Sequence, residues 1–218
     1  MCNMQVLDLQ GNQIDDAGVI KFASALAGGA LASCTTLVLT ANQIGHAGME
    51  AFSGALAKGA LAQVTTIYLY NNQIGDAGLI ALTDACAKGA LAQVTSLSLA
   101  NNKIGDKGLE ALSGALATGA LAQLSYLDLS GNQIGDPGFT ALAEACAGGG
   151  AMAQCTYLNL GRNKIGDKGL EVLSGALATG AMPSLKKIVV GIKYPQLVAA
   201  WLHPQLVGGC QPRGIEIA

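Results

Sequence analysis

Leu97-Ser98-Leu99-Ala100-Asn101-Asn102-Lys103-Ile104-Gly105-Asp106-Lys107-Gly108-Leu109 decides the architecture of this chain, because near-copies of it return at a fixed spacing. Leucines open the copies at Leu7, Leu37, Leu97, Leu127 and Leu158, and isoleucines stand in at Ile67 and Ile188. The step is 30 residues throughout, except for 31 between Leu127 and Leu158, where Gly148-Gly149-Gly150 holds the extra residue. A period in this range marks a solenoid, in which each unit buries its apolar face against its neighbours. One elongated body is therefore expected: repeats over 1–190 (six full units and a seventh strand near Ile188), then a C-terminal cap over 191–218.

Within a unit, Leu97 and Leu99 point one way while Ser96, Ser98 and Ala100 point the other, the alternation of a short strand. An asparagine follows in each copy (Asn12, Asn42, Asn72, Asn102, Asn132, Asn163). Its amide both donates and accepts, so a stacked column would satisfy buried backbone at the turn. Asp16, Asp76, Asp106, Asp136 and Asp167 are then read as helix N-caps, with Pro137 at the first helical position. His46 replaces the aspartate in the second unit, which predicts a less well capped second helix.

Leu109, Leu112 and Leu116 make one buried helical face, and a glycine near each helix end (Gly29, Gly59, Gly89, Gly119, Gly180) fits a left-handed cap. Strand–helix–strand with a single strand direction requires a right-handed crossover and a parallel sheet. Strands stack at about 4.8 Å and helices at about 8–10 Å, so the stack bends with its sheet on the inside. The fold class expected is α/β: a right-handed solenoid, a horseshoe with a concave parallel sheet and convex helices. Units two, four and six carry a mid-helix glycine where units three and five carry Asp84 or Glu144, an alternation expected to let helices nest closely.

Composition narrows the function. Mean hydropathy is +0.42, yet glycines and polar residues interrupt every apolar run short of the ~18 residues that suggest a membrane span. Met1-Cys2-Asn3-Met4-Gln5 is not followed by the apolar stretch of a signal peptide, so a cytoplasmic protein is expected. A net charge of −2 gives no argument for nucleic acid or an acidic membrane surface. Seven of the twelve Lys and Arg residues lie at or after Arg162, read as solvated charge on a weakly basic C-terminal third.

Cys34 and Cys155 replace Val64, Val94, Leu124 and Leu185, while Cys86 and Cys146 replace Leu26, Leu56, Leu116 and Leu177. They are read as buried free thiols; a Cys146–Cys155 pair inside one unit is the pairing that spacing leaves open. No Cys/His spacing suggests a metal, and no phosphate loop, HExxH or nucleophile elbow is present. Catalytic residues, cofactors and metals are all expected to be none. His46 and His203, the two histidines, have no nearby nucleophile or carboxylate pair.

The pattern LxLxxNxIxxxGLxxLxxxLxxxxLxxL, over about residues 4 to 190, resembles the leucine-rich repeats of the ribonuclease-inhibitor type. Such repeats also occur in NOD-like receptors and in the activating proteins of Ran-type GTPases. The resemblance implies an intracellular, non-enzymatic scaffold that binds a protein partner, or alternatively a regulator that activates a small GTPase.

The informative residues for binding are those facing away from the core along the strands. Four of the five tyrosines fall there, and tyrosine offers rigid apolar area with a polar tip. The expected partner-binding set is Tyr68, Tyr70, Tyr126, Asp128, Tyr157, Asn159 and Arg162. Self-association through the uncapped first strand, or a self-associating fragment of a larger repeat protein, is a further reading. At the C-terminus, Tyr194-Pro195 and His203-Pro204 are read as openings of short helical turns. Trp201 is expected to pack into the cap, and Gly214 to Ile217 to add a closing strand.

Overall fold

The computed structural model describes residues 4–147 and 150–190, with the backbone of 216–217. The proposed helical turns and Trp201 of the cap, the chain before Met4, and Gly148-Gly149 lie outside the described residues. Seven three-residue strands alternate with six twelve-residue helices: β1 (Val6–Asp8), α1 (Asp16–Ala27), β2 (Thr36–Val38), α2 (His46–Ala57), β3 (Thr66–Tyr68), α3 (Asp76–Ala87), β4 (Ser96–Ser98), α4 (Asp106–Ala117), β5 (Tyr126–Asp128), α5 (Asp136–Ala147), β6 (Tyr157–Asn159), α6 (Asp167–Ala178) and β7 (Lys187–Val189). A further strand, β8 (Glu216–Ile217), pairs with β7. The sheet is wholly parallel and its strands follow chain order. Register follows the repeat, 30 residues apart from Val6↔Thr36 to Ser96↔Tyr126 and 31 at Tyr126↔Tyr157.

The central leucine or isoleucine of every strand from β2 to β7 is buried, as are Leu109, Leu112 and Leu116 of α4. Cys34, Cys86, Cys146 and Cys155 occupy aliphatic positions of this core, buried and unpaired. Burial pushes the Cys86 and Cys155 thiols up to about 12 and the Cys146 thiol up to about 11, so they remain neutral and unreactive. Unit one is more open: Val6 is 58% exposed and Ile20 45%.

Three hydrogen-bond ladders tie unit to unit. At the entry to the strands, Thr65 Oγ1 donates to Thr35 O, Thr95 Oγ1 to Thr65 O and Ser125 Oγ to Thr95 O. At their exit, Asn102 Nδ2 donates to Leu99 O of its own unit and Leu69 O of the previous one, at 3.1 and 3.0 Å, while its Oδ1 accepts from Ile74 N. Asn42, Asn72 and Asn132 repeat the arrangement. The column is thus the backbone-satisfying spine that its regular spacing predicts.

The third ladder corrects the capping expectation. Asp76, Asp106 and Asp167 are the first helical residues, and the extended N-cap residues are Gly75, Gly105 and Gly166. The carboxylates of Asp76, Asp106 and Asp136 work on the next helix. Asp76 Oδ1 accepts from Gly105 N at 2.6 Å and Gly108 N at 3.0 Å; Asp106 does so for Gly135 and Gly138, and Asp136 for Gly166 and Gly169. One aspartate therefore satisfies two orphan donors at a neighbouring N-terminus. A Cβ on Gly108 would stand 2.8 Å from Asp76 Oδ1, so the glycine is what admits the neighbour's carboxylate.

The prediction that His46 weakens the cap of α2 is consequently displaced by one unit. Gly45 N donates to Asp16 Oδ1 at 2.6 Å, so α2 has its acceptor. The helix facing His46 is α3, and among the described residues no side chain accepts from its Gly75 N or Gly78 N. Helix α1 is capped within its own unit, because Asp15 stands where later units have glycine and accepts from Gly18 N at 2.9 Å.

The nesting expectation also changes. Gly54, Gly114 and Gly175 would meet nothing within 4 Å if given a Cβ, so the mid-helix alternation faces open space. The preceding position, Ser53, Thr83, Ser113, Ala143 and Ser174, is the buried one instead.

Candidate functional site: the tyrosine trough on the sheet face

Two residues per strand, and the second residue beyond each strand, point away from the core. Register places them in rows. One row runs Asp8, Val38, Tyr68, Ser98, Asp128, Asn159, Val189, and another Thr36, Thr66, Ser96, Tyr126, Tyr157, Lys187. The first row from Asp8 to Asp128, with Tyr126 of the second and with Gln10, Tyr70, Ala100 and Ser130 beyond the strands, lines an open trough of about 550 Å³ that reaches from unit one to unit five.

Four of the seven expected site residues, Tyr68, Tyr70, Tyr126 and Asp128, line this trough. Two others support it from unit six. The Tyr157 ring stacks on that of Tyr126, with centroids 4.7 Å apart and planes 3° from parallel, and Asn159 Nδ2 donates to Asp128 Oδ2 at 3.2 Å. The seventh, Arg162, is not among the lining residues; it is exposed and takes the left-handed backbone position before Asn163, with φ 56°.

The sequence reading left out Asp8, Gln10 and Asn101, which also line the trough. Asp8 was legible in principle, since carrying the strand alternation back into unit one puts it in the row of Asp128.

The walls are held in place by local bonds. Asp128 Oδ1 accepts from Ser130 N at 2.9 Å, which turns the chain as it leaves β5, and Asp8 Oδ1 does the same for Gln10 N at 2.9 Å. Tyr126 OH donates to Asp128 Oδ2 at 3.4 Å. Burial, and then the Asp128 carboxylate, push the Tyr126 phenol up to about 12, so it remains a donor across the neutral range. In the row of Asp128, Ser98 is the one buried member among the described residues, 5% exposed. Its small side chain is the floor between Tyr68 and Asp128.

Among the described residues no group of three or more His, Cys, Asp or Glu is placed to hold a metal ion, and no helix is long and apolar enough to cross a membrane. The trough presents ring faces, hydroxyls and two carboxylates, which is chemistry for recognition.

Short parallel strands on one face, helices on the other and side-chain ladders on the repeat period define an α/β solenoid. A family model described as Leucine Rich repeat matches residues 1–23, 64–82, 93–113, 123–143 and 156–174. The chain is a leucine-rich-repeat protein, and such repeats serve as protein-interaction scaffolds. No curated protein matches it. Among solved structures, an internalin from Listeria monocytogenes is similar at 20% identity and a TM-score of 0.34, over 89% of this chain and 58% of that one. The chain thus spans less than two thirds of that internalin's length.

Proposed function

We propose that this protein is a non-enzymatic scaffold of the cytoplasm that holds a protein partner on its concave sheet face. The observation carrying this reading is the convergence of Tyr68, Tyr70, Tyr126 and Asp128 on one trough, with Tyr157 and Asn159 bracing two of them. Aromatic anchors within a polar surround are the usual composition of an interface hot spot. Four buried unpaired thiols support a reducing compartment.

The test replaces Tyr68, Tyr70, Tyr126 and Tyr157 with serine and compares capture of the partner by the two chains. Loss of capture with an unchanged circular dichroism spectrum is expected. Capture that survives in the serine chain contradicts the reading.

A second reading, self-association through unit one, is favoured by the exposed Val6 on β1, the first strand in the sheet order, with the exposed Met4 before it and Ile20 on α1. It predicts dimers in light scattering, and a monomer at high concentration contradicts it.

A further inference from the structure

Unit four is the plainest on the sheet face, with Ser96, Ser98 and Ala100 where its neighbours carry Thr66, Tyr68 and Tyr70 on one side and Tyr126, Asp128 and Ser130 on the other. The register Tyr68↔Ser98↔Asp128 sets an aromatic wall and a carboxylate wall two strand spacings apart, about 10 Å, over a buried serine floor. The smallness of unit four therefore makes the slot.

Among the described residues, charge in the trough has one sign: Asp8 and Asp128 are the charged residues that line it, and no lysine or arginine does. Four strand steps separate them, about 19 Å. Each uses Oδ1 on its own turn, and neither belongs to an ion pair within 4.0 Å among the described residues. A cation recovers Coulomb energy there, and a guanidinium also stacks on tyrosine faces, as an ammonium does less well.

We infer that the trough takes an extended segment of the partner protein bearing two arginines about six residues apart, one against Asp128 and Tyr68 and the other against Asp8. An extended chain rises about 3.3 Å per residue, so six residues span the distance between the carboxylates. The volume of about 550 Å³ suits side chains and a stretch of backbone. This inference rests on the concave-face reading.

The probe is a capped heptapeptide, Arg-Ser-Gly-Ser-Gly-Ser-Arg, beside the same peptide with both arginines replaced by citrulline, its neutral isostere. Each is titrated into the full chain by calorimetry and by NMR of the tyrosine rings. The arginine peptide is expected to bind at least about tenfold more tightly and to weaken as salt rises. Asp128→Asn and the exposed Asp8→Asn each lower its affinity severalfold, and Ser98→Leu, which fills the floor, removes it.

Equal affinity for the two peptides, or no binding of the arginine peptide at millimolar concentration, overturns the inference. If that happens while the tyrosine-to-serine chain still loses its partner, the concave-face reading stands without it. If the serine chain keeps its partner, both fall.

Discussion

Asp76 belongs to one helix and does its hydrogen bonding on the next, and much of the unit's sequence follows from that. Its carboxylate takes two free N–H groups of the following helix, Gly105 and Gly108, and both positions are glycine where a Cβ would crowd it. Replacing Asp76 with alanine strands two donors and should cost about 1–2 kcal/mol in urea unfolding. His46→Asp should stabilise by about 1 kcal/mol, because it supplies α3 with the acceptor that its neighbours have. No gain from His46→Asp would mean that these aspartates are not the caps. The residues of this ladder were legible in the sequence, but their direction was not. Gly105 and Asp106 are adjacent, either can be read as the cap, and a bond from one repeat to the next cannot be seen inside a single unit.

At the scale of the element, each strand is only three residues long and is stable because its ends are tied. Hydroxyls secure the entry and asparagine amides the exit, both to the preceding unit. These ladders were predictable wherever a polar residue recurs in every copy, since a thirty-residue period brings like onto like. The helices show the reverse. Alternation of Gly54, Gly114 and Gly175 with Asp84 and Glu144 suggests packing, yet periodicity cannot say which side of a helix touches its neighbour at a small residue. With open space around them, Gly54→Ala, Gly114→Ala and Gly175→Ala should each add about 0.5–1 kcal/mol by lowering unfolded-chain entropy. Were these glycines holding the helices together, the same substitutions would lower the midpoint of unfolding.

Across the whole molecule, the leucines, asparagines and glycines specify the stack and leave the outward rows free to vary. That division explains why the stack of strands and helices could be read over the described residues while the trough could be read only in part. The tyrosines and Asp128 stood out as departures from small neighbours; Asp8 was hidden in a unit with weaker repeat features, and Arg162 lies in unit six, one unit beyond the end of the trough at Asp128 and Ser130. Ser98 and Ala100 carried no signal by themselves, because a floor is defined by the walls beside it. The central claim is that the partner lies on the sheet face. It is tested most directly by placing a photo-crosslinking residue at Ser130, in the trough, and at Glu110, exposed on α4, and irradiating each chain with its partner. Crosslinks from Ser130 with none from Glu110 are the predicted result. Crosslinks from Glu110 with none from Ser130 would contradict it and move the interface to the helices.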